Sequence, residues 1–146
     1  MACARCTLAK EPPVAASLSF GTWVSLCPYP QEPSLLARIV AEPTGLPDRA
    51  LSDLYAAILS RELQRPPACP PPPVRRLLEQ AAELEDAQLT WLPGAPVSRA
   101  VVYTAGDEYP DQVRTGMALQ RVLLTATKND IRAACTNQGL FRFGAP

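Results

Sequence analysis

Apolar positions along the chain alternate between helical and strand spacing, and the strongest helical stretch runs from about Asp111 to Lys128. There Val113, Met117, Ala118, Leu119, Val122, Leu123, Leu124 and Ala126 occupy most of the circumference. A helix apolar nearly all round is buried or lies at a subunit interface. Val74, Leu77, Leu78, Ala81, Ala82 and Leu84 form one stripe, with Arg75, Arg76, Glu79, Glu83 and Glu85 opposite, which predicts an amphipathic helix. A third helix is predicted from a cap at Asp48 or Ser52 to about Arg61, because Leu51, Leu54, Tyr55 and Ile58 repeat at three and four residues.

Strand signals lie between these helices. Trp23 to Cys27 is short and β-prone, with Gly21 before it and Pro28-Tyr29-Pro30 after it, and reads as an edge or orphan strand. Gln88 to Leu92 is a second strand, ended by Pro93-Gly94-Ala95-Pro96. Arg99 to Ala105 is continuously β-branched and aromatic, as in a strand covered on both faces at a sheet centre. Glu32 to Val40 suits either a short helix or a strand. Residues 1–22 show no convincing period, and Pro12 with Pro13 blocks a long helix, so a loosely ordered N-terminus is expected before a domain spanning 23–146. Pro70 to Pro73 are four successive prolines, which force polyproline II geometry and make 66–73 a rigid strap.

The chain has 146 residues, enough for one compact domain and too few for two ordinary ones. Its seventeen prolines are about twice the usual share, so regular structure is interrupted often. Fourteen basic side chains balance fourteen acidic ones, which disfavours nucleic acid and anionic membranes as partners. No apolar run reaches bilayer length and the start lacks the order of a secretory signal, so a soluble, cytoplasmic protein is expected. Histidine is absent, which removes the usual general base, the commonest zinc ligand and Ser-His or Cys-His nucleophile pairs.

The five cysteines are an odd number. Cys27, Cys69 and Cys135 stand far from one another and from Cys3 and Cys6, so reduced thiols are expected. Cys3 and Cys6 have C-x-x-C spacing, but two further zinc ligands are lacking nearby, and no strand can precede a pair starting at residue three. No role is assigned to them, and no metal site is expected.

Val101-Val102-Tyr103-Thr104-Ala105-Gly106-Asp107, followed by Val113 to Thr127 with Gly116-Met117-Ala118-Leu119-Gln120-Arg121-Val122-Leu123-Leu124, resembles the strand and central helix of the Acg-type FMN-binding oxidoreductases, a branch of the nitroreductase superfamily. Leu54 to Arg65 resembles the family's helix leading into an arginine-rich segment near the flavin phosphate, and Pro73 to Leu92 continues as its following helix and strand. Val24 to Ile39 is similar to the family's preceding strand and proline turn, which favours a strand for the ambiguous segment before Val40. A long family stretch is lacking where Pro96-Val97 stands, as are the opening section and the C-terminal tail, so the chain looks like a truncated, internally deleted relative.

The resemblance implies an α+β, partial nitroreductase-like fold with a mixed sheet packed on a buried central helix. It implies FMN as cofactor and NAD(P)H as electron donor, with the flavin carrying the hydride chemistry, so no catalytic side chain is assigned. Arg61 and Arg65 match two of the family's arginines, and the planar guanidinium fork suits a phosphate. Glu62 departs from the pattern and would repel a phosphate unless turned away. The family's Gly-Leu after the central helix is replaced by Asp130-Ile131, with Asn129 expected to supply the left-handed turn. The expected partner is a second copy or a fuller homologue. Alternatives to the oxidoreductase are a non-catalytic flavin-binding or dimerisation module and a decayed remnant without activity.

Overall fold

The computed structural model of the chain describes residues 20–43, 49–60, 69–94 and 98–135. In chain order these form β1 (Phe20–Leu26), β2 (Ala37–Pro43), α1 (Arg49–Ser60), α2 (Pro72–Glu83), β3 (Gln88–Leu92), β4 (Arg99–Tyr103) and α3 (Tyr109–Lys128). The class is α+β, as expected. No described helix is long and apolar enough to cross a membrane.

The strands pair as two separate two-stranded antiparallel sheets, β1 with β2 and β3 with β4, and not as the single mixed sheet expected. β4 has one neighbour among the described residues, so it is not a sheet centre. A continuous β-branched run does not distinguish one covered face from two. In the register Leu89↔Val102 and Trp91↔Ala100, Leu89, Trp91 and Val102 turn toward the helices, while Tyr103 on the other face is 41% exposed.

The helix ends follow from local chemistry. Pro72 and Pro73 do not extend the strap but open α2, where a missing amide hydrogen costs nothing, and Pro71 before them is extended at φ −65°, ψ 157°. The remainder of the strap, 66–68, lies outside the described residues. At the other end, the Ala87 amide donates to the Ala82 carbonyl at 3.2 Å and that of Asp86 to Glu83 at 3.0 Å, with Asp86 left-handed at φ 55°. This is a Schellman turn.

Helix α3 ends the same way. The Ile131 amide donates to the Ala126 carbonyl at 2.9 Å and that of Asp130 to Thr127 at 3.1 Å. The left-handed residue is Asp130 at φ 57°, whereas Asn129 has φ −101°, so the turn falls one residue later than expected. The motif fixes that position by hydrogen bonding, and Asp tolerates it through its short polar side chain. The start of α3 is held by a reciprocal capping box between Glu108 and Asp111. A Cβ on Gly106 would overlap the Asp111 carboxylate, so a larger residue there displaces that side chain from the capping box.

α3 is the element around which α1, α2 and the β3–β4 hairpin gather. Leu124 packs with Leu54 and Ala57 of α1, while Val122 and Ala126 pack with Leu78, Ala81 and Ala82 of α2. Val74, Leu89, Trp91, Val102 and Ile131 close over the second cluster. Between α2 and α3 the Arg121 guanidinium pairs with the Glu85 carboxylate, both nearly buried. A buried Arg121 requires such a partner, and Gln120 avoids the requirement by being exposed.

Candidate functional site

Arg61 and Arg65, the phosphate-binding candidates, lie outside the described residues, as do Glu62, Cys3 and Cys6. The described backbone reaches Ser60, the last residue of α1, and the Leu54–Ala57–Leu124 cluster fastens that helix to α3. The segment bearing the arginines therefore leaves from a helix seated on the central one.

The described side chains form a different constellation at the start of α2. Cys69 and Pro70 lead into the helix, and Arg75 folds back over its first turn, donating Nε–H to the Pro70 carbonyl at 3.1 Å. A cation here opposes the helix dipole. Its surroundings compensate, because the guanidinium carbon lies 4.9 Å from the centre of the Trp91 ring, a cation–π contact. Trp91 is oriented in turn by donating its indole N–H to Glu79 Oε1 at 2.7 Å.

Arg75 Nη2 donates to Cys69 Sγ at 3.4 Å and to Ser98 Oγ at 3.2 Å, and the Ser98 hydroxyl donates to Cys69 Sγ at 3.1 Å. Two donors thus converge on an exposed sulfur. The Ser98 hydrogen bond, then that of Arg75, hold the Cys69 thiol below its ordinary range; desolvation opposes them, and the Arg75 charge adds the smallest lowering. The arrangement favours a thiolate, a nucleophile toward soft electrophiles and peroxides. None of Cys27, Cys69 and Cys135 is in a disulfide.

Alkylation by iodoacetamide tracks the thiolate, so a lowered thiol reacts down to lower pH. Ser98→Ala and Arg75→Ala are each expected to move the half-maximal pH for Cys69 alkylation upward, with Cys69→Ser removing that signal. An unchanged midpoint in both variants would rule out these donors as its cause.

In the sequence, nothing assigns Cys69 a role. The weak local signal was a cysteine just ahead of a helix and six residues before an arginine. Ser98 and Trp91 reach the sulfur and the guanidinium only through tertiary folding.

Arg121 is committed to Glu85, Arg114 to Asp111 at 3.0 Å and Lys128 to Asp53 at 2.7 Å. An open groove of about 400 Å³ beside β3 is lined by Glu79, Glu83 and Asp86 together with Gln88, Leu89 and Thr90, and its carboxylates repel an anion. On α3, a Cβ at Gly116 would meet nothing within 4 Å, so this position lies open. No protein-family model matches the chain, and no curated protein matches it.

Proposed function

We propose that the chain is an FMN-binding, nitroreductase-like NAD(P)H oxidoreductase that works as a homodimer or beside a fuller homologue. The observation that supports this reading is the seat of α3. The segment with the longest resemblance to the Acg-type oxidoreductases is also the helix against which α1, α2 and the β3–β4 hairpin pack. Its surface around Gly116 is open, which leaves room for a partner subunit or a flat ring.

Bound FMN would supply hydride transfer, and the protein's task would be to hold its phosphate. That task falls to Arg61 and Arg65, the two arginines that match the family's phosphate-binding segment. A second reading is a non-catalytic flavin-binding or dimerisation module. A remnant without activity is the third.

The test is the colour of the purified chain. Flavin absorbance near one FMN per subunit, bleached by NADPH without oxygen, is expected, and the Arg61→Ala/Arg65→Ala double variant should be colourless. A yellow protein that NADPH does not bleach would support the non-catalytic module. A folded but colourless parent chain that takes up no added FMN would end the flavin reading.

A further inference from the structure

The β1–β2 hairpin has a face that the described chain leaves open. Alternation along paired strands puts Gly21, Trp23 and Ser25 on the same side as their partners Glu42, Val40 and Arg38. On β1, Thr22 and Val24 on the opposite side are buried, whereas Trp23 is 54% exposed; on β2, Val40 beside Trp23 is 41% exposed and Ile39 on the opposite side 56%. An indole beside a valine in water gains free energy when covered. Charges flank this pair along β2, Arg38 on one side and Glu42 on the other. Both are exposed, and neither makes an ion pair with a described residue.

The order base, apolar, acid along one strand is self-complementary. Consider a two-fold axis in the sheet plane, running across the strands through Trp23 and Val40. β2 of one copy then lies antiparallel over β2 of the other, and each Arg38 faces the other copy's Glu42, giving two ion pairs. An axis along the strands would instead set Arg38 over Ser25 and leave the charges uncompensated. The small, half-buried Ser25 beside Trp23 leaves space for the two indoles to overlap in an offset stack.

We propose that this hairpin face is a self-docking surface, through which two copies of the chain pair face to face. The inference goes beyond the flavin reading and does not rest on it, because no residue of the hairpin is assigned to the flavin.

A face of this size gives weak pairing, so sedimentation equilibrium of the full chain should show a monomer–dimer equilibrium with Kd on the order of 10–100 µM. Arg38→Glu alone, or Glu42→Arg alone, turns both ion pairs into repulsive ones and should weaken pairing at least about tenfold. An equimolar mixture of the two single variants should pair again, because the mixed dimer has two attractive contacts, and the R38E/E42R double variant should recover as well. Trp23→Ser should abolish pairing with the circular dichroism spectrum unchanged.

The proposal is overturned if the chain stays monomeric up to about 1 mM. It is equally overturned if the single charge variants dimerise as tightly as the parent, or if their mixture pairs no better than each alone. Flavin absorbance on the same samples separates the two proposals, since a colourless dimer counts against the flavin alone, whereas a yellow monomer overturns this pairing and leaves the fuller homologue as the partner in the flavin reading.

Discussion

Replacing Arg121 with Ala is expected to destabilise the chain by about 3–5 kcal/mol, the largest effect of any single substitution considered. The Arg121 and Glu85 side chains are 10% and 5% exposed, so removing the guanidinium leaves a carboxylate with neither water nor counter-charge. Glu85 also lies in the turn ending α2, where the helix dipole disfavours a negative group. Urea unfolding of Arg121→Ala should show a lower midpoint with an unchanged slope. The pair itself need not stabilise strongly, because its desolvation offsets its attraction. Arg121→Met combined with Glu85→Leu should therefore stay within about 1 kcal/mol of the parent. If Arg121→Ala alone costs under about 1 kcal/mol, the ion pair is not closed in solution.

Leu124→Ala is expected to cost about 3 kcal/mol, and its effect should be local before it is global. Leu124 is 2% exposed and joins α3 to Leu54 and Ala57, the buried residues that hold α1 in place. The cavity would loosen α1, whose amides should exchange with deuterium well before those of α2. Because Arg61 directly follows α1, FMN content should fall in this variant even where the rest of the fold survives. Leu124→Met, which nearly conserves volume, should cost less than about 1.5 kcal/mol. Equal protection of α1 and α2 in Leu124→Ala would show that α1 is fastened by something other than this cluster.

All three helices and the strands after α2 were legible because their patterns are long or sharply bounded. The observed spans of α1, α2 and α3 lie within a few residues of those the spacing predicts. Less legible was which apolar residues are covered. Leu77, Leu84 and Ile58 belong to the apolar stripes yet are 43%, 45% and 40% exposed, while Ala57, outside the stripe, is buried. Glu85 was assigned to the polar face of α2 but is 6% exposed, since the Schellman turn ends the helix and redirects the chain. Periodicity describes a straight helix and is silent once the chain turns.

The sequence by itself determined the elements, the α+β class, the central position of α3 and the absence of histidine-based chemistry. These depend on local spacing and residue type, which any contiguous segment carries. Only the tertiary structure decided that the strands form two separate antiparallel sheets, that Arg121 is neutralised by Glu85, and that Ser98 and Arg75 converge on Cys69. Each of these joins residues distant in sequence, and Ser98 lies twenty-nine residues from Cys69. Such pairs are set by how faces pack in three dimensions, and neither propensity nor period encodes which distant face will be opposite.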